Sequence, residues 1–174
     1  MNGKINIIFG FIYLAFTALL GPALLVPQLG KNSQSLNNTA ALVEKVREGA
    51  QRDFKGTDGP DKVIAPAVVS IFDYIKTSKL SAKGAHVHGN LEALLNIVAG
   101  LVLLTLAIPA NFKTLLSIMF LVGAVFHSGM LYLGGVFHMY WAYNFTVIGA
   151  IAIILGLAGM GIAGFIGIKQ THNQ

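Results

Sequence analysis

Residues 140–168 read YWAYNFTVIGAIAIILGLAGMGIAGFIGI and contain no Asp, Glu, Lys or Arg. Because a helix rises about 1.5 Å per residue, about 20 apolar residues are enough to cross the hydrocarbon core of a bilayer. Three other stretches of comparable length and apolarity occupy residues 5–26, 86–108 and 113–136. The sequence therefore predicts an all-α membrane protein, a bundle of four transmembrane helices forming a single domain over residues 1–174.

The charged residues of the chain are concentrated in one segment. Of its 174 residues only 11% are charged, whereas a soluble domain carries about 25%. Most of that charge lies in residues 27–84, which are predicted to form a long, partly helical loop outside the membrane, between the first two helices. The basic residues there are nearly matched by acidic ones, so the net charge of +5 does not indicate nucleic acid as a partner. The lipid bilayer is the expected surrounding.

Two helices are predicted inside this outer segment. Asn38 or Thr39 would cap a helix over residues 40–52. The run KGTDGP at residues 55–60 is typical of a helix breaker. A second helix over residues 67–80 would be amphipathic, lying on the membrane surface or capping the bundle, because four apolar residues fall at i, i+3, i+4 and i+7: Val68, Ile71, Phe72 and Ile75.

The short loops predict the topology. Lys4, Lys113 and Lys169 fall on one side, and the turn at residues 137–139 has no basic residue. The positive-inside rule then places both termini in the cytoplasm, in a bacterial inner membrane. The apolar run of residues 5–26 exceeds the 7–15 residues typical of a signal-peptide core, so an uncleaved helix is expected.

The second predicted helix carries the most informative polar residues. His88, Glu92 and Asn96 are four residues apart and share one face, while His86 and Asn90 form another i, i+4 pair. Glu92 is the only acidic residue in a predicted spanning helix, where an ionised group is costly unless it is paired or faces a cavity. It is a candidate catalytic residue that orients His88 or moves a proton. The alternative is a structural hydrogen bond to Tyr132 or Asn96.

Histidine is the main candidate for a metal ligand because the chain has no cysteine. His86, His88, His127 and His138 are predicted to approach the same membrane face, and His172 in the tail is given no role. Haem b is the expected cofactor, with axial imidazoles from one or two helices. His88 and His127 are the first candidates for its iron and His86 and His138 the alternatives. A copper, zinc or iron ion held by histidine and Glu92 is the second expectation, and transport without a cofactor the third.

The residues just described also carry a resemblance. The opening Ala85-His86-x-His88-Gly89, followed by Asn90 and Asn96, resembles a segment of the styrene oxide isomerases, as does the Ser128–Tyr132 stretch. These are small four-helix membrane proteins with a long first loop. The resemblance implies haem b bound between subunits, with ferric iron acting as a Lewis acid on an epoxide. It implies His88 or His86 as the axial ligand, with Tyr132 and Asn96 (or Asn90) on the open side of the iron.

Three functions are therefore predicted for this membrane protein. The first is an isomerase-like enzyme that uses haem iron on a small apolar substrate. The second is a cytochrome for electron transfer, with His88 and His127 closing both axial sites, and the third is an accessory subunit of a larger membrane complex. A homo-oligomer or such a complex is expected under all three. Small residues at spacings of three or four on the last helix indicate close packing, within the bundle or against a neighbouring subunit: Gly149, Ala152, Gly156, Gly159, Ala163 and Gly167.

Overall fold

The computed structural model describes residues 3–79 and 83–168, and every regular element within those ranges is helical. In chain order the elements are α1 (Lys4–Leu20), a π-helical turn (Gly21–Leu25), α2 (Val26–Gln51), α3 (Pro60–Lys79), α4 (Lys83–Thr105), α5 (Ala110–Ala124), a second π-helical turn (Val125–Gly129), α6 (Met130–Gly135), a 3₁₀ helix (Tyr140–Phe145) and α7 (Thr146–Gly167). They form two compact units. One contains α1 and α4–α7, and the other, residues 23–81, contains α2 and α3.

Four helical stretches of the described chain are long and apolar enough to cross a membrane: Lys4–Gln51, Gly84–Thr105, Ala110–Gly135 and Tyr140–Gly167. The prediction of an all-helical chain with four such helices is confirmed. The second helix ends at Thr105 rather than at residue 108, shortly before Pro109, whose ring disfavours helical backbone in the residue before it. Lys169, on which the topology prediction partly rests, and His172 lie outside the described residues.

The helical unit of α2 and α3 differs from the prediction in where both helices begin, since the helix predicted over residues 67–80 starts at Pro60. Residues 40–51 are helical as predicted, but the predicted cap at Asn38 or Thr39 is wrong, because α2 already begins at Val26 and continues through both residues. No breaker interrupts residues 28–51 apart from Gly30 and Gly49, and their Gln, Lys, Leu, Glu and Ala residues favour helix. Thr39 Oγ1 donates to the carbonyl of Ser35 at 2.8 Å, within the helix.

The predicted breaker separates these two helices. The backbone between α2 and α3 has positive φ at Asp53, Phe54, Gly56 and Gly59, and α3 begins at Pro60. Four apolar residues expected to form the face of an amphipathic helix are exposed within this unit: Val68, Ile71, Phe72 and Ile75. Leu80, the last residue of the helix predicted over residues 67–80, lies outside the described residues.

In the other unit α1 packs along α4, and α5 packs along α7. The backbones of α1 and α4 touch, since a Cβ atom at Gly10 would lie 2.7 Å from the carbonyl oxygen of Ala93. Small residues on both helices allow that approach. A cluster of buried residues fills one end of this unit: Leu103, Leu106, Ile108, Leu116 and Ala163.

The small residues of α7 face α5 and the second π-helical turn. A Cβ atom at Gly159 would lie 2.4 Å from Cδ2 of Leu116, and one at Gly156 would lie 3.4 Å from the ring of Phe120. Gly149 and Ala163 are buried in the same bundle. These small residues were predicted to pack either within the bundle or against a neighbouring subunit, and the structure shows packing within the bundle.

Candidate functional site

Three side chains with metal-ligating atoms converge between α4 and the second π-helical turn. His88 and Glu92 lie one turn apart on α4, and His127 lies in the turn. One ligand atom from each residue lies within 4.8 Å of the corresponding atoms of the other two. The imidazole rings of His88 and His127 have centres 4.7 Å apart and planes inclined at 75°. Of the residues predicted from the sequence, the structure brings these three together, and we refer to them as the His–Glu–His cluster.

Glu92 is the buried centre of this cluster. Its side chain is 3% exposed, and its Oε1 atom lies 2.5 Å from Nδ1 of His127. Its Oε2 atom accepts from the amide of Ser128 at 3.2 Å and from the hydroxyl of Ser128 at 2.5 Å. Such multiple donors allow a carboxyl group to be buried among apolar helices. The sequence also suggested a structural hydrogen bond from Glu92 to Tyr132 or Asn96. In the structure the carboxyl group of Glu92 bonds His127 and Ser128 instead.

The π-helical turn determines where His127 and Ser128 point. The widened turn lets the amide of Ser128 donate to a carboxylate on another helix. The turn also lies directly against α7, because a Cβ atom at Gly149 would lie 2.2 Å from the backbone nitrogen of His127. Single π-helical turns inside α-helices are frequent at functional sites. No periodic pattern in the sequence predicts this turn.

A cleft of about 210 Å³ lies beside the cluster, between α4 and α7. His88, Glu92 and His127 form one side of it. The other lining residues are all apolar: Leu91, Leu95, Ala150, Ile153 and Ile154. The cluster therefore has space next to it for a further ligand, in surroundings without another polar side chain among the described lining residues.

His86 and Asn90 belong to a different group, which joins α4 to α1. The Nδ1 atom of His86 lies 3.0 Å from the carbonyl oxygen of Thr17, and its Nε2 atom lies 3.3 Å from Nδ2 of Asn90. Thr17 Oγ1 donates to Oδ1 of Asn90 at 2.6 Å. Both ring nitrogens of His86 thus have partners, and the structure does not bring either residue into the cluster.

Asn96, a predicted catalytic residue, lies in a third polar group on the other side of the cluster. Its amide donates to the carbonyl oxygens of Glu92 at 3.0 Å and Phe120 at 3.1 Å, and its Oδ1 atom accepts from Asn6 at 2.9 Å. Asn6 also donates to the carbonyl of Ser117 at 2.9 Å and accepts from its hydroxyl. This arrangement uses both amide hydrogens of Asn96 to connect α1, α4 and α5.

Tyr132 and His138 also lie apart from the cluster. Tyr132 is 4% exposed and packs against Gly89, and within the described part of the chain its hydroxyl has no hydrogen-bond partner. His138 lies in the loop after α6 with a φ of 58°, and its ring is 6.3 Å from that of Tyr140.

Sequence reasoning missed four polar residues that the structure places around the cluster. Tyr13 of α1 contributes a hydroxyl 2.8 Å from Oγ of Ser128, and Thr17, Asn6 and Ser117 take part in the groups described above. Their signal is a polar side chain isolated in an apolar stretch. Such a residue needs a partner inside a bundle.

The functional proposal for this chain depends on the geometry of the His–Glu–His cluster. The resemblance to styrene oxide isomerases stays a prediction from the sequence. Comparison of the chain with models of known protein families, with curated proteins and with solved structures gives no match.

Proposed function

We propose that the chain is an integral membrane protein whose four apolar helices cross the bilayer, with both termini cytoplasmic and the α2–α3 unit outside. The support is the outer surface of those helices, where large apolar side chains are exposed in every one. Examples are Ile12, Val98, Ile118 and Phe165. Such a surface is stable in hydrocarbon and costly in water. A bacterial inner membrane is the proposed location.

Within that membrane we propose a metalloprotein with a divalent transition-metal ion at the His–Glu–His cluster. The observation that carries the proposal is the convergence of two imidazoles and one carboxylate, from α4 and the second π-helical turn, within 4.8 Å, with Glu92 buried between them. Imidazole nitrogens are common ligands of zinc, copper and iron ions, and a carboxylate beside a ligating histidine commonly orients its ring. When bound, such an ion acts as a Lewis acid toward a ligand at its open coordination positions.

Glu92 serves this site by holding His127 in place. Because its Oε1 atom contacts Nδ1 of His127, the ring carries its proton there and leaves Nε2 for the ion. Ser128 supplies two donors to the other carboxylate oxygen, which fixes the orientation of Glu92. Glu92 is therefore a positioning residue for His127, and the imidazoles of His88 and His127 are the proposed ligands of the ion.

The spacing of the two rings favours a single ion over a haem between them. An imidazole nitrogen binds a metal at about 2.0–2.1 Å, so rings on opposite sides of one iron have centres about 6.3 Å apart. Rings on adjacent positions of one ion have centres about 4.5–5 Å apart. The distance between His88 and His127 is 4.7 Å. Haem b and the isomerase-like activity on an apolar substrate remain predictions from the sequence.

Metal analysis of the protein purified in mild detergent tests the proposal. We expect about one zinc, iron, copper or manganese ion per chain after growth in metal-supplemented medium. His88→Ala and His127→Ala should abolish the bound metal, and Glu92→Gln should weaken binding by about 10–100-fold.

His138→Asn is the matched control, because it removes a histidine outside the cluster and asparagine accepts the left-handed backbone at that position. It should retain the ion. Metal content that is unchanged in His88→Ala and His127→Ala would overturn the proposal. A Soret band in the visible spectrum of the unmodified chain that both variants lack would show that the site binds haem rather than a single ion.

A further inference from the structure

We propose that the ligand admitted beside the ion is the hydrocarbon chain of a membrane lipid, which enters sideways from the bilayer through the cleft between α4 and α7. This inference deepens the proposed metal site and rests on it for its function. The lateral opening itself rests on the position and lining of the cleft.

The cleft lies at the depth of the lipid chains. Glu92 is about 12 Å along α4 from Gly84, where the apolar stretch begins, and the hydrocarbon core is about 30 Å thick. On the other wall, Ile153 and Ile154 lie in the interior of the apolar stretch Tyr140–Gly167. The surrounding medium at this depth is hydrocarbon rather than water.

The mouth of the cleft is apolar and faces outward. Leu91 on α4 is 52% exposed and Ile154 on α7 is 64% exposed. A hydrated polar ligand would lose its water on passing them without gaining hydrogen bonds, whereas an alkyl chain has no such cost. An empty cleft would forfeit dispersion contacts on one side of its lining, and an alkyl chain restores them.

The residues at the mouth are unsuited to a second helix. Helices in membranes associate closely through small residues. On α7 those residues are already buried inside the chain, with Gly149 against the π-helical turn, Gly156 against Phe120 and Gly159 against Leu116. The cleft instead presents the large side chains of Leu91 and Ile154, which suit a flexible chain better than another helix.

Spin labelling tests the opening. The chain has no cysteine, so one cysteine can be introduced at a time. A nitroxide on Ile154→Cys in lipid vesicles should collide with oxygen, which concentrates in hydrocarbon, and hardly with a water-soluble nickel chelate. Phe165→Cys, which is 93% exposed on α7, is the lipid-facing control, and Asp58→Cys in the loop between α2 and α3 is the aqueous control. Nickel access at Ile154, or protection from both reagents there, would overturn the proposal.

Photo-crosslinking tests the occupant. Vesicles of phosphatidylcholine with a mid-chain diazirine, and separately vesicles doped with a free diazirine fatty acid, distinguish an esterified chain from a free one. We expect crosslinks to cleft residues of α4 and α7 with at least one probe, and Ala150→Trp should remove them by filling the cleft. Ile162→Trp, an outward position elsewhere on α7, should not. Crosslinks at the cleft that persist in Ala150→Trp would overturn the proposal.

The two proposals fail in different ways. Metal content is therefore compared between the unmodified chain and Ile162→Trp, which lies outside the cleft lining and should hold the same amount of metal. If the unmodified chain crosslinks at the cleft but holds no metal, the metal site is wrong and the lateral opening is right. If the unmodified chain holds metal but the nitroxide on Ile154→Cys is accessible to the nickel chelate, the lateral opening is wrong and the metal site is right.

Discussion

Gly149 of α7 and His127 of the second π-helical turn are in contact through their backbones, since a Cβ atom at Gly149 would lie 2.2 Å from the nitrogen of His127. The same atom would lie 2.5 Å from the carbonyl carbon of Phe126 and 2.7 Å from the carbonyl oxygen of Gly123. Because all three neighbours are backbone atoms, no side-chain rotation can relieve the overlap. The position of His127 therefore depends on the absence of a side chain on α7.

Gly149→Ala should accordingly displace the π-helical turn. We expect a loss of about 1–3 kcal/mol in the free energy of unfolding, as in other overpacked interiors, together with weakened metal binding. Gly161→Ala on the same helix is the control, because nothing lies within 4 Å of its Cβ position, and alanine there should be neutral or stabilising. Denaturant titration in mild detergent and metal analysis measure both effects. Equal stability of the two variants would contradict the packing described here.

Asn96→Ala should separate a structural role from a catalytic one. The substitution removes the side-chain acceptor that Asn6 uses on α4 and the amide that donates to the carbonyl of Phe120, and we expect a loss of about 1–3 kcal/mol in the free energy of unfolding. Metal content should stay near that of the unmodified chain, measured at a denaturant concentration where both are folded. Asn144→Ala, at an exposed position, should change stability by less than about 0.5 kcal/mol. A variant of Asn96 with full stability would refute the network.

Tyr132→Phe and Tyr13→Phe form a matched pair. The buried hydroxyl of Tyr132 has no partner within the described part of the chain, so its removal should leave stability unchanged or raise it by up to about 1 kcal/mol. Tyr13 bonds Ser128 at 2.8 Å, and its removal should cost about 1 kcal/mol. Thermal unfolding followed by circular dichroism compares them. A larger loss for Tyr132→Phe than for Tyr13→Phe would show that the Tyr132 hydroxyl has a partner.

His86→Ala should differ from His88→Ala in what it affects. Both ring nitrogens of His86 are engaged by Thr17 and Asn90, so its loss should weaken the contact between α1 and α4 by about 1–2 kcal/mol. Its metal content should be unchanged, whereas His88→Ala should lose the ion. Parallel unfolding and metal measurements on the two variants distinguish them. Loss of metal in His86→Ala alone would move the site to the start of α4.

The four apolar helices and the face shared by His88 and Glu92 were predictable from the sequence, because both depend on local hydropathy and on spacing within one helix. The partner of Glu92 was not, because it depends on which helices are neighbours and on a π-helical turn that shifts His127 and Ser128. The hydrogen bonds of Asn96 were not predictable for the same reason. Its partner Asn6 lies 90 residues away in sequence.

That separation has a consequence for how the protein is made. Asn6 bonds Asn96 and Ser117, and Thr17 bonds Asn90 in addition to the carbonyl of Leu14 in its own helix, so the side chain of Asn6 depends on helices synthesised much later. In the proposed membrane topology α1 would enter the bilayer before residues 23–81 are synthesised, with Asn6 not yet bonded to Asn96 or Ser117. In that topology the amide of Asn6 would acquire its side-chain partners only after α4 and α5 have been synthesised.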